Sequence, residues 1–165
     1  MSQRLLTSTF FISIFRCKYK SEHKDAHVWR ITKMPDFRVP VEDYKFLFRH
    51  VFKMDEHYSK LNCDNDFSLD LLDTILDEAA KFSENELAPL YQSGDEEGCV
   101  LEDGVVTTPK GFKEAYSKFI EGGWTSLTGD VELGGQGLPS SVSLVVNEML
   151  TTANWAWAMY PGLSE

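Results

Sequence analysis

Cysteine is scarce in this chain: Cys17, Cys63 and Cys99 are odd in number and widely spaced. No Cys-x-x-Cys pair occurs, so neither a disulfide framework nor a cysteine zinc site is indicated, and a reducing cytosol is the default compartment. Basic charge is also short. Sixteen Lys and Arg face 26 Asp and Glu, a net charge of −10, which excludes the clustered cations that a nucleic-acid surface needs to displace counterions. No apolar run reaches the about 20 residues of a membrane-spanning helix. The stretch 5–15 is shorter, and a basic segment follows it where a secretory signal would carry a small-residue cleavage site. A Gly-Lys-Ser/Thr phosphate loop is missing too. Gly135-Gln-Gly137 followed by Ser140 imitates the start of a dinucleotide fingerprint, but no buried strand precedes it.

What is present suits one folded domain. The 165 residues are 42% hydrophobic and 13% aromatic, enough for a core and against disorder. The charge is unevenly placed. Residues 1–33 hold seven Lys and Arg against Glu22 and Asp25, a surplus of five, so the remainder carries −15. A compositional boundary therefore falls near Met34, and residues 1–33 read as an atypical extension. Its acid-free start is open to two accounts, an organelle presequence, which would make the protein mitochondrial, or a start codon placed too far upstream. His23 and His27 have the i, i+4 spacing of a metal pair but no carboxylate motif beside them, and His50 and His57 read as helix-surface residues. No metal site is expected.

Periodicity and punctuation give a mainly α fold with one short hairpin. Tyr44, Leu47, Phe48, Val51 and Phe52 recur at helical spacing after Pro40, predicting a first helix over about 41–56. Ser68 caps a second, whose Leu69, Leu72, Ile75, Leu76, Ala79 and Ala80 form an apolar stripe; its Asp70, Asp73, Asp77 and Glu78 are expected to face solvent. Val100-Leu101 and Val105-Val106 flank Asp103-Gly104, a hairpin turn signal. Thr108-Pro109 is read as cap and first-turn proline of a third helix bearing Phe112, Tyr116, Phe119 and Ile120. A fourth begins near Pro139 and turns Val142, Val145, Val146, Met149 and Leu150 inward. Between the third and fourth lies a glycine-dense loop, 122–139, built to pass close to something. Its candidates are Glu132, Gly134, Gly135 and Gly137.

The loop Glu132-Leu-Gly-Gly-Gln-Gly-Leu-Pro139, then Asn147-Glu-Met149, Ala153-Asn154 and Met159-Tyr-Pro-Gly-Leu163, resembles the amino-terminal helical domain of acyl-CoA dehydrogenases. Upstream, Met34-Pro-Asp-Phe-Arg-Val-Pro40, Asn85-Glu-Leu-Ala-Pro-Leu90, Gly94-Asp-Glu-Glu-Gly-Cys99 and Thr108-Pro-Lys-Gly-Phe-Lys-Glu-Ala-Tyr116 are similar to the subgroup that includes methylthiopropanoyl-CoA dehydrogenases. The resemblance runs from about Met34 to the last residue, with Val131 standing where the family usually has proline.

It implies an FAD-dependent α,β-dehydrogenation of an acyl-CoA thioester in fatty acid metabolism. In the family, a middle β domain and a second helical bundle supply most flavin contacts and the catalytic glutamate. Residues 34–165 are thus expected to be the first helical domain alone, incomplete at its end, binding no FAD stably and carrying no catalytic residue. Neither Glu132 nor Glu148 should be taken for the base. The family implies an acyl-chain wall at the last helix, making Trp157, Ala158 and Pro161 candidates for pocket-lining positions, with core packing as their alternative role. Partners implied are acyl-CoA, the missing domains or a homologous subunit, and an oligomer in the complete form. The alternative is a non-enzymatic helical module docking on an intact dehydrogenase through its apolar end.

Overall fold

The computed structural model describes residues 36–61 and 67–163, all within one compact unit. The extension 1–33, with His23, His27 and Cys17, lies outside the described residues, as does Cys63. Among the described residues there are seven α-helices: α1 Val41–Phe46, α2 Met54–Ser59, α3 Leu69–Phe82, α4 Leu90–Glu97, α5 Phe112–Glu121, α6 Ser140–Ala153 and α7 Trp155–Gly162. Two strands, β1 Val100–Glu102 and β2 Val105–Thr107, form one hairpin, and short π-helical and 3-10 turns connect some of the helices. The mainly α architecture with a single hairpin is the one that the sequence patterning indicates.

Helix α3 is the centre of the bundle. Ser68 Oγ accepts the Leu71 N–H at 3.1 Å, satisfying one of the orphan donors of the first turn. Its Leu72, Leu76, Ala79 and Ala80 are buried, and the first three share one core cluster with Val142, Val146, Met149 and Leu150 of α6. Phe119 of α5 and Trp157 of α7 close the other side. Their rings stand edge to face at 5.4 Å, and each meets Phe82 at 5.9 Å, the tilted and T-shaped arrangements that the aromatic quadrupole favours.

The first helix expected over 41–56 is three pieces. The α1 helix runs into a π-helical turn, Leu47–Val51, which carries Phe48 into the core. The chain then breaks at Lys53, whose φ of 49° is left-handed, before α2 starts. Periodicity continues through that break, which is why it reads as one helix. The acidic face of α3 also departs from expectation. Arg49 donates to Asp73 at 2.6 Å and Lys45 to Asp77 at 2.8 Å, so these two acids hold α1 and its turn against α3 and are not simply solvated. Asp70 remains exposed, and Glu78 pairs with Lys81 on the α3 surface.

A second π-helical turn, Ser83–Leu87, follows α3 and leads into α4. The hairpin pairs Leu101 with Val106, and the turn residues Asp103 and Gly104 both have positive φ, at 49° and 79°, as a two-residue twist-matched turn requires. Pro109 sits in a turn before α5 and not in its first turn: the Phe112 N–H donates to the Pro109 carbonyl, and Gly111 is the residue that enters the helix. Pro139 likewise precedes α6.

Candidate functional site

The loop between α5 and α6 folds onto itself. Its two arms are joined by Gln136 N–H to the Ser126 carbonyl at 2.8 Å, Gly137 N–H to the Gly129 carbonyl at 2.9 Å and Leu138 N–H to the Leu127 carbonyl at 2.8 Å. At the crossing, a Cβ on Gly135 would stand 2.1 Å from the Gly129 carbonyl. The close approach that glycine permits here is therefore internal. Asp130 Oδ1 caps the short turn Val131–Leu133 by accepting the Glu132 N–H. Gln136 Nε2 reaches the Gly123 carbonyl at 2.8 Å, tying the loop to the end of α5. Of the loop candidates, Glu132 and Gly134 are exposed and line neither the α7 cavity nor the groove beside α3, Gly135 forms the crossing, and Gly137 lies against Val131.

Helix α7 presents three faces, and the sequence candidates divide among them. Asn154, between α6 and α7, is 1% exposed. Its Oδ1 accepts the Trp157 N–H at 3.0 Å, and its Nδ2 donates to the Leu87 carbonyl at 3.2 Å, joining α7 to the turn after α3. Ala158 and Pro161 are buried and line neither of the two main cavities. Trp157 is fully buried; its Nε1 donates to the Phe112 carbonyl at 3.1 Å. One edge of Trp157, with Phe112, Tyr116 and Tyr160, floors a cavity of about 470 Å³ that the hairpin residue Val106 borders. The third face carries Trp155, Met159 and Leu163, spaced four apart and exposed. Of the three pocket candidates, Trp157 borders one of these two cavities, and Ala158 and Pro161 are buried away from both.

The sequence reading did not single out Asn154 as a joint, nor Lys113, Tyr116 and Tyr160 as cavity residues. An N-cap asparagine ahead of an apolar run was the available signal for the first. Nothing local marks the others, because the hairpin and α5 meet α7 only through the fold. Tyr160 OH lies 3.2 Å from Cys99 Sγ. That hydrogen bond, then burial, pushes the Tyr160 hydroxyl up to about 12. Tyr44 is also raised, by burial and then by its interaction with Glu148. Glu148 therefore meets α1 across the bundle.

The described residues gather no group of three His, Cys, Asp or Glu side chains suited to a metal ion, and none of their helices is long and apolar enough to cross a membrane. An FAD would need several donors for its diphosphate. The α7 cavity offers one cation, Lys113, among mostly apolar walls, and the two buried oxygens without a hydrogen-bond partner among the described residues, Asp73 Oδ1 and Ser83 Oγ, do not line it. These residues by themselves do not fit the flavin.

No family model matches the chain. The 3-methylmercaptopropionyl-CoA dehydrogenase of Ruegeria pomeroyi is 34% identical over 128 residues, covering 78% of this chain and 22% of that protein. The broad-specificity linear acyl-CoA dehydrogenase FadE5 of Mycobacterium tuberculosis is 28% identical over 131 residues, covering 78% and 21%. The chain spans about a fifth of the length of the curated relatives it matches. Over 78% of its length the chain is thus similar in sequence to acyl-CoA dehydrogenases, and its helical fold with one hairpin is consistent with that likeness.

Proposed function

We infer that this chain is the helical part of an FAD-dependent acyl-CoA dehydrogenase, contributing a wall of the acyl site while the flavin and the catalytic base are held by parts of the enzyme other than these 165 residues. The observation that carries the reading is the sequence relationship to two acyl-CoA dehydrogenases over 78% of the chain. The exposed stripe Trp155, Met159 and Leu163 supports it, since a helix end with this much apolar surface calls for a covering partner. The parent reaction removes an α-proton with a carboxylate base, while flavin, where bound, accepts the hydride from the β-carbon. In this reading the chain's own residues exclude water from the alkyl chain. Of its carboxylates, Glu148 bonds Tyr44 and Glu132 is exposed on the loop, and neither is assigned the base.

The substrate would be methylmercaptopropionyl-CoA or another short linear acyl-CoA, and the working form an oligomer. The test is turnover of such thioesters by the 165-residue chain with FAD and an artificial electron acceptor. The reading expects none above buffer, and dehydrogenation by the chain alone would overturn it. A second reading, a non-enzymatic helical module that docks on an intact dehydrogenase, draws on the same exposed stripe. Stoichiometric binding to an intact relative, with no gain of activity when that relative's matching segment is deleted, would favour it.

A further inference from the structure

We propose that the cavity between the hairpin, α5 and α7 is a binding site for a medium-chain aliphatic carboxylate, separate from any thioester site on the exposed face of α7. The cavity measures about 470 Å³, within the range of small-ligand sites. At the about 30 Å³ that a water takes in the liquid, it has room for roughly sixteen non-hydrogen atoms. Its floor is apolar and aromatic. Phe112 and Tyr160 stand perpendicular with centroids 6.0 Å apart, and Tyr116 and Trp157 are inclined at 56°. Neither of these two pairs forms a parallel slot, which suits a bending alkyl chain better than a flat ring.

Apart from the tyrosine hydroxyls, few polar side chains join this lining. Thr107 and Thr108 are there, and Lys113 is the cation; it makes no ion pair with a described residue. By contrast Lys81 and Lys118, at the other large groove, are each paired with a glutamate at 2.5 and 2.7 Å. One unpaired ammonium above an apolar floor matches one carboxylate with a tail. It does not match coenzyme A, whose phosphates call for several cations. The cavity opens on the Trp157 and Tyr160 side of α7, whereas Trp155, Met159 and Leu163 mark the exposed side.

The experiment is calorimetric titration of the complete chain with sodium decanoate below its micelle concentration, beside decanol and decanoyl-CoA. Saturable one-to-one decanoate binding is expected. K113M, which keeps the aliphatic stem, should weaken decanoate by about fivefold, the scale of an exposed ion pair, and leave decanol unchanged. K81M, at the other groove, should change neither. Non-saturable uptake, an equal loss of decanoate and decanol affinity in K113M, or tighter binding of decanoyl-CoA at the same site would each overturn the proposal. Circular dichroism of K113M guards against misfolding, and the exposure of Lys113 makes a folded variant the expectation.

Discussion

Replacing Asn154 by alanine tests whether the α6–α7 joint is held as described. The side chain is almost completely buried and uses both ends of its amide: Oδ1 receives the Trp157 N–H, and Nδ2 reaches the Leu87 carbonyl 67 residues earlier in the chain. Alanine removes both bonds. Loss of an N-cap acceptor costs about 1 kcal/mol, and a buried carbonyl left without a donor adds about 1–3 kcal/mol. The expected destabilisation of N154A is therefore about 2–4 kcal/mol, a large part of the roughly 5–15 kcal/mol that holds a domain folded. The two components separate. N154S retains an oxygen for the Trp157 N–H but is too short to reach Leu87, so it should lose less than N154A, about 1–3 kcal/mol. The assay is urea unfolding followed by circular dichroism, comparing midpoints at unchanged slope. A loss below about 1 kcal/mol in N154A would refute the reasoning, since a buried, doubly bonded amide cannot vanish at so small a cost.

Other expectations concern the loop and the cavity mouth. G135A should destabilise strongly because its Cβ would meet the Gly129 backbone, whereas G134A, with open space around it and a φ of 87°, should cost only about 1 kcal/mol of backbone strain; paired thermal melts check the contrast, and equal losses would contradict it. V131P should be tolerated or stabilise by about 0.5 kcal/mol, as Val131 opens a turn and Asp130 before it is already extended at ψ 133°; a marked fall in melting temperature would argue against that turn geometry. Tyr160 should ionise near 12 in the folded chain against 10 for an ordinary tyrosine, read as the difference in alkaline ultraviolet titration between the parent chain and Y160F. Because the folded value is the higher one, its contribution to stability is fully present below about pH 10 and is lost as the pH rises toward 12; a Tyr160 midpoint at 10 would contradict the Cys99 contact.

Much of the fold was legible because its signals are local. Ser68 ahead of a 3.6-residue stripe gave α3, Asp103-Gly104 between valine-rich segments gave the hairpin, and the run from Val142 to Leu150 gave α6. The break at Lys53 was not legible, since a left-handed lysine has no compositional mark and the apolar spacing carries on past it. The acids of α3 misled for a related reason: Asp73 and Asp77 look like a solvated face until the π-helical turn after α1 brings Arg49, and α1 itself Lys45, across more than twenty residues of sequence. The glycine loop showed that something passes close by, but only the fold reveals that Gly135 meets Gly129. At α7, Trp157 was identified from the family resemblance, whereas the cavity beside it depends on the meeting of three elements distant in sequence.

The most direct test of the central claim is flavin titration of the 165-residue chain, followed by fluorescence and calorimetry, first alone and then mixed with the Ruegeria enzyme lacking its matching segment. The account expects no saturable FAD binding by the chain alone, and stoichiometric binding with acyl-CoA-dependent flavin reduction once the remainder is supplied. Stoichiometric FAD binding by the isolated chain, bleached on addition of acyl-CoA, would contradict it.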